Sequence, residues 1–172
     1  DHSPVIIHQY GQKHPALSLR LITQQNAGVS EARNRGITEA DTPYIAFMDQ
    51  DDYVAPDYLS TYMTAMKADN ADIVCGGYRR IDENGHIYRR VSLNQDAWAK
   101  FVVVAPWAHL YRTDFLREHH ISYLKTGLGE DVFFSLLAYS YTDRIVTLPY
   151  DGYFWVDNPR SVSNSRQKQV SA

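Results

Sequence analysis

The sequence predicts an α/β fold built on a mostly parallel sheet with helices on both faces. Three observations carry that prediction. Residues 44–48 (Tyr-Ile-Ala-Phe-Met) form an uninterrupted apolar run, and residues 71–77 (Ala-Asp-Ile-Val-Cys-Gly-Gly) read as another buried strand. Such runs are the pattern of strands covered on both sides. Leu59, Tyr62, Met63 and Met66, and later Val132, Phe133, Leu136 and Leu137, recur at helical spacing. Strands alternating with helices make a sheet whose ligands bind beyond the C-terminal strand ends, and the first run ends in Asp49-Gln50-Asp51-Asp52.

The elements follow in order. Residues 4–10 carry Val5, Ile6 and Ile7 and read as a short helix. Residues 18–23 alternate and read as a strand; residues 24–28 are polar and read as a loop. Ser30 stands where an N-cap belongs, ahead of a helix through Arg35 that Gly36 closes or loosens. Pro43 precedes the first buried strand, and Pro56 opens the next helix. Residues 79–90, with Glu83-Asn84-Gly85 at their centre, read as a hairpin with an Asn-Gly turn. Helices are expected over 95–103, over 113–119 with Thr113 as cap, and over 130–141. A last strand is expected over 144–149.

The chain has 172 residues, with 17 Lys+Arg against 20 Asp+Glu and a formal net charge of −3. That length suits one domain, able to bury a core without disulfide staples. Cys75 is alone, which excludes an internal disulfide and a cysteine zinc site and points to a reducing compartment. The mild acidity argues against nucleic acid as a partner. No apolar run reaches the roughly 18 residues of a spanning helix. The start, Asp1-His2-Ser3-Pro4, has neither signal-peptide pattern nor initiator Met. The localisation expected is cytoplasmic, with peripheral association at the inner membrane face left open.

Two acidic features bear chemistry. Three carboxylates in the four residues 49–52 repel one another unless water or a cation intervenes, and hard cations take such oxygen ligands together with substrate phosphates. A solvated turn ahead of a helix is the plainer alternative. Gly129-Glu130-Asp131 opens a helix. Its carboxylates suit the helix dipole, and one of them could equally serve as a general base toward a hydroxyl. Arg33, Asn34 and Arg35 offer cationic and amide donors, with Arg35 read as solvated. A lone His such as His109 is more often structural than catalytic, and His2, His8, His14 and His86 show no ligand spacing. A Gly-rich phosphate loop, a Ser elbow and a Cys/His zinc pattern are all absent.

Taken together, these residues resemble the family 2 glycosyltransferases, whose catalytic domain has the GT-A (Rossmann-like) fold. Four blocks match in order. Residues 25–36, Gln-Asn-Ala-Gly-Val-Ser-Glu-Ala-Arg-Asn-Arg-Gly, are similar to the family's N-x-G-x-S-x-A-R-N-x-G. Residues 44–52 resemble its strand and D-x-D-D metal motif. Residues 107–111 resemble its W-N-K-L-Y block, with Ala108 and His109 as departures. Residues 129–134, Gly-Glu-Asp-Val-Phe-Phe, resemble its G-E-D-x-x-F block. The match runs from Asp1 to about residue 163. The family's first strand, first helix and second strand have no counterpart here. The resemblance thus implies one catalytic domain over residues 1–172, incomplete at its N-terminus, with exposed edges suited to self-association.

The resemblance implies transfer of a sugar from a nucleotide-diphosphate donor to an acceptor hydroxyl on a glycan or glycolipid, with inversion and with Mn²⁺ or Mg²⁺. Asp51 would be the main metal ligand, joined by Asp49, which also faces the ribose and donor sugar. Asp52 would support the site. Arg33 would contact the nucleotide, with Asn26 and Gly28 shaping its loop. Asp131 would be the general base and Glu130 its support or an acceptor contact. Trp107 and His109 would lie on the acceptor side. Asn158 stands where many relatives carry His or Arg. A non-catalytic binding module, or an inactive fragment, is the alternative reading; a metal-dependent phosphoesterase is a third.

Overall fold

The computed structural model describes residues 2–126 and 129–158. Helix α1 (Ser3–Lys13) leads through an unpaired stretch to helix α2 (Val29–Glu39). Strands β1 (Tyr44–Ile45) and β2 (Tyr53–Val54) flank the acidic turn, followed by helix α3 (Tyr58–Ala68) and strand β3 (Ile73–Cys75). Strands β4 (Tyr78–Ile81) and β5 (Ile87–Val91) form the expected hairpin, its turn closed by Gly85 at φ +81°. A single 3₁₀ turn (Ala99–Phe101) precedes strand β6 (His109–Arg112) and helix α4 (Thr113–Glu118). Helix α5 (Glu130–Ser140) and strands β7 (Ile145–Thr147) and β8 (Tyr153–Val156) complete the described chain.

The strands make two sheets, in the orders β1-β6-β3-β7 and β2-β8-β4-β5. The α/β class holds, but the strand directions correct the expectation of a mostly parallel sheet. Among the described residues only β3–β7 and β4–β8 pair in parallel; the other four pairings are antiparallel. Strand β6, which the sequence does not announce, inserts antiparallel between β1 and β3.

Other expectations shift for local reasons. The run at 44–48 is covered on one face rather than two: Ile45 is buried and Phe47 half-buried, while Ala46 and Met48 on the alternate face are exposed. Residues 18–23 form no ladder, and Leu19, Leu21 and Ile22 lie exposed; an alternating sequence becomes a strand only where a neighbour takes its backbone hydrogen bonds. Gly28, at φ +90°, caps α2 instead of Ser30, which lies buried within the first turn. Thr113 does not cap α4, because its hydroxyl donates to the Thr42 carbonyl at 2.7 Å. Over 95–103 only the 3₁₀ turn forms. There Asp96 accepts from the Trp98 N–H at 2.9 Å, the kind of local bond that competes with helix.

Aromatic residues dominate the core: Tyr62, Tyr111, Tyr153, Phe115 and Phe134 are each at most 1% exposed. The Tyr62 hydroxyl donates to the Ala108 carbonyl at 3.0 Å, joining α3 to the strand end beside β6.

A buried ion cluster ties the far end of the first sheet. The Asp72 side chain is 4% exposed and accepts from Arg112 at 2.8 Å, Arg144 at 2.6 Å and Thr142 at 2.7 Å. Burial opposes its charge, yet the bonds from Arg144, Thr142 and Arg112 outweigh it and hold the carboxyl below its ordinary value. A lowered folded value means the stabilisation is present above the ordinary Asp value of about 4 and is lost as pH falls below it. Replacing Asp72 with Ala is expected to cost about 2 kcal/mol, allowing for water that reaches both arginines. Urea unfolding at pH 7 and pH 3 checks this, with the gap between variant and parent narrowing at the lower pH.

Candidate functional site

A groove of about 1250 Å³ opens along the exposed edge of β1. Asn26, Gly28 and α2 form one wall, and residues 44–51 form the floor. Glu130 and Asp131 at the start of α5, with Asn158 just beyond β8, close the other side. The two acidic segments, far apart in sequence, therefore meet at one groove.

Arg33 joins them. Its guanidinium bonds Asp49 at 2.6 Å and also pairs with Asp131. The side chain is only 11% exposed, so the cation is held inside the wall. Burial works against its charge, and the carboxylates of Asp131 and Asp49 more than restore it, raising its pKa. For Asp131, burial pushes the carboxyl above its ordinary value against the pull of Arg33, with Glu130 and Asp49 adding to the rise. A carboxyl raised in this way, at a helix start on an open groove, suits proton acceptance from a hydroxyl.

The three carboxylates of the acidic turn diverge. Asp49 pairs with Arg33. Asp51 is exposed and accepts from the Asn158 amide at 3.4 Å. Asp52 turns beneath the floor, where it accepts from the Tyr153 hydroxyl at 2.6 Å and the Val156 N–H at 2.9 Å. Burial lifts the Asp52 carboxyl to about 6 despite these bonds. The Tyr153 oxygen also accepts the Asp49 N–H at 3.2 Å, so one buried phenol anchors both ends of the turn.

Among the described residues no group of three acidic, histidine or cysteine side chains gathers as a metal cage. The polar side chains lining the groove at the turn, Asp49, Gln50, Asp51 and Asn158, all carry oxygen donors. That donor set fits Mg²⁺ or Mn²⁺ taken through one or two carboxylates and completed by phosphate oxygens.

Asn26 and Gly28 lie on the groove wall. The Asn26 side chain accepts the Gly28 N–H at 3.1 Å and so sets the entry into α2. Arg35 pairs with Glu39 one turn on and stays on the solvent face. Trp107 and His109 are not brought to the groove. Trp107 is 8% exposed and stacks on Tyr153 at 4.8 Å. His109 is fully buried; its Nδ1–H donates to the Trp107 carbonyl at 2.8 Å, and Nε2 accepts from the Tyr139 hydroxyl at 2.6 Å. Burial lowers its pKa to about 4, so it is neutral at pH 7. Sequence reasoning missed Tyr153 and Tyr123 as supports of the site. The only signal for Tyr153 was a short aromatic run, Tyr153-Phe154-Trp155, with no spacing to link it to the acidic turn.

Comparison with known proteins bears on the family and the fold. The model of the family "Glycosyl transferase family 2" matches residues 1–134. The chain is 26% identical to glycosyltransferase GlyA of Streptococcus pneumoniae over 146 residues, covering 74% of this chain and 21% of GlyA. It is 29% identical to the uncharacterized glycosyltransferase YibD of Escherichia coli over 170 residues, covering 84% of this chain and 48% of YibD. It thus spans about half the length of YibD and much less of GlyA. The crystal structure of S. aureus TarS 1–349 in complex with UDP-GlcNAc shares the fold. Its TM-score is 0.76 at 20% identity, over 96% of this chain and 49% of that one.

Proposed function

The chain belongs to glycosyl transferase family 2, and from that membership we propose that its groove takes a nucleotide-diphosphate sugar and transfers the sugar, with inversion, to a hydroxyl of a glycan acceptor. The observation that carries the reading is the meeting of Asp49, Asp51, Arg33 and Asp131 around one groove. Arg33 and the Asn26–Gly28 loop line the wall where the nucleotide would rest. Asp51 and Asp49 would hold Mn²⁺ or Mg²⁺ together with the diphosphate. The cation would offset charge developing on the leaving diphosphate.

Asp131 accepts the proton of the incoming hydroxyl. The hydroxyl oxygen bonds to the anomeric carbon from the face opposite the diphosphate, whose bond to that carbon breaks with its electron pair. A single in-line displacement of this kind inverts the centre. Glu130 adds negative charge beside Asp131 and helps to keep its carboxyl basic. The GT-A fold shared with TarS and the likeness to a poly(ribitol-phosphate) beta-glucosyltransferase of Bacillus spizizenii (27% identity over 162 residues) support a nucleotide-sugar donor and a glycan acceptor.

Titration calorimetry with UDP-GlcNAc and other nucleotide sugars, with and without Mn²⁺, tests the reading. Saturable binding of at least one donor, strengthened by the cation, is the expected result; no binding of any of them would overturn it. One observation favours a non-catalytic donor-binding module: the ion pair with Arg33 already occupies Asp131. Donor turnover separates the two readings, because a module without chemistry binds the nucleotide sugar and leaves it intact.

A further inference from the structure

The side chain after Arg33 does work of a different kind. The Asn34 amide donates from Nδ2 to the Tyr123 carbonyl at 2.9 Å, and its Oδ1 accepts the Tyr123 N–H at 2.7 Å. Both backbone groups of one residue are thus taken by one side chain, as a neighbouring strand would take them. Residues 121–126 have no helix or strand of their own, so this clamp fixes where Tyr123 sits relative to α2.

The Tyr123 ring then touches all three elements that carry the site. It lies parallel to Phe134 at 4.0 Å and 2°. Phe134 is three residues beyond Asp131, on the same side of α5. The ring meets Phe47, two residues before Asp49, edge-to-face at 5.5 Å. Its other neighbour is the Arg33 guanidinium, 5.3 Å from the ring centre, a cation–π distance. Tyr123 is 2% exposed, and its hydroxyl has no hydrogen-bond partner among the described residues. What this position uses is therefore the flat ring rather than the oxygen.

We propose that Asn34 and Tyr123 form a positioning pair, in which the amide clamp seats the ring that holds Arg33, Asp131 and Asp49 in mutual register. Neither residue is among those lining the groove, so the pair acts through Arg33 and Asp131. The inference rests on the transferase reading for its effect on turnover, and on geometry alone for its effect on Arg33. A displacement of about 1 Å in such a constellation costs on the order of 100-fold in rate.

Two measurements on the same proteins test it. One is the ¹⁵N NMR signal of the Arg33 guanidinium N–H groups, slowed in exchange by the two ion pairs. The other is kcat and KM for hydrolysis of UDP-GlcNAc with Mn²⁺. Asn34→Ala and Tyr123→Leu are expected to collapse the slowed Arg33 signals and to lower kcat about 10- to 100-fold, with KM changing less than about threefold. Tyr123→Phe, which keeps the ring, retains the signals and stays within about twofold of the parent kcat. Asn34 is only half-buried, so its variant keeps the test alive should Tyr123→Leu fail to fold, which the backbone amide spectrum reports. Unchanged Arg33 signals and kcat in Asn34→Ala would overturn the proposal, as would a Tyr123→Phe protein as impaired as Tyr123→Leu. If the parent turns over none of the nucleotide sugars that it is offered but Asn34→Ala still frees Arg33, the transferase reading fails and the positioning pair stands.

Discussion

Asp131→Asn is expected to lower the rate of sugar transfer by roughly 100- to 10,000-fold, the span ordinarily supplied by a positioned general base. The change is nearly isosteric, and Arg33 keeps its bond to Asp49 at 2.6 Å, so the donor's Kd should move less than about threefold. Rate and binding therefore part company, and calorimetry beside a transfer or donor-hydrolysis assay reads both. A variant that lost binding as severely as turnover would show that Asp131 holds the donor rather than taking the proton. The pH dependence follows from the same carboxyl. Only its ionised form accepts a proton, so the rate rises with pH and levels off above the folded value. Burial places that midpoint above the ordinary carboxylate range near 4. Arg33 pulls it down, so Arg33→Met is expected to carry the acid limb to still higher pH. A limb that stayed put, or moved down, would contradict the assignment.

Asp51→Ala carries the second large effect, this time on binding. Asp51 is exposed on the groove and accepts one long bond, from the Asn158 amide; removing its carboxylate leaves no buried charge behind and should barely alter stability. In the presence of Mn²⁺ the Kd for UDP-GlcNAc is expected to rise roughly 10- to 100-fold, the worth of one charge-assisted contact. With the cation chelated, parent and variant should bind alike. Equal strengthening by Mn²⁺ in both proteins would remove Asp51 from the metal site. Asp52→Asn provides the contrast. Its carboxyl is engaged by Tyr153 and Val156 beneath the floor, so its loss should act on the stability of the turn more than on the cation dependence.

Much of the site is legible in the sequence. The D-x-D-D turn, the Gly28 loop with Arg33, and the start of α5 each have a short local pattern, and each pattern comes with a chemical reason. The helices α2, α3, α4 and α5 and the β4–β5 hairpin are legible for the same cause: periodicity and turn residues act over a few positions. Illegible are the direction of β6, the pairing of β8 with β2 and β4, and the edge position of β1. These depend on which strand lies beside which. His109 is instructive, because its block resembles a functional one while its environment makes it a neutral core residue clasped by Tyr139 and Trp107.

By itself the sequence determined the α/β class, the family and the kinds of side chain available for chemistry, because those reside in local pattern. Only the tertiary structure decided that Arg33 bridges Asp49 and Asp131, that Asp52 turns under the floor to Tyr153, and that Asn34 seats Tyr123 against Phe134. Arg33 and Asp131 lie 98 positions apart, and nothing in a window of a few residues reports such a separation. What sets it is the packing of α2 and α5 against a common aromatic core, where burial and neighbouring charge then fix how each carboxyl behaves.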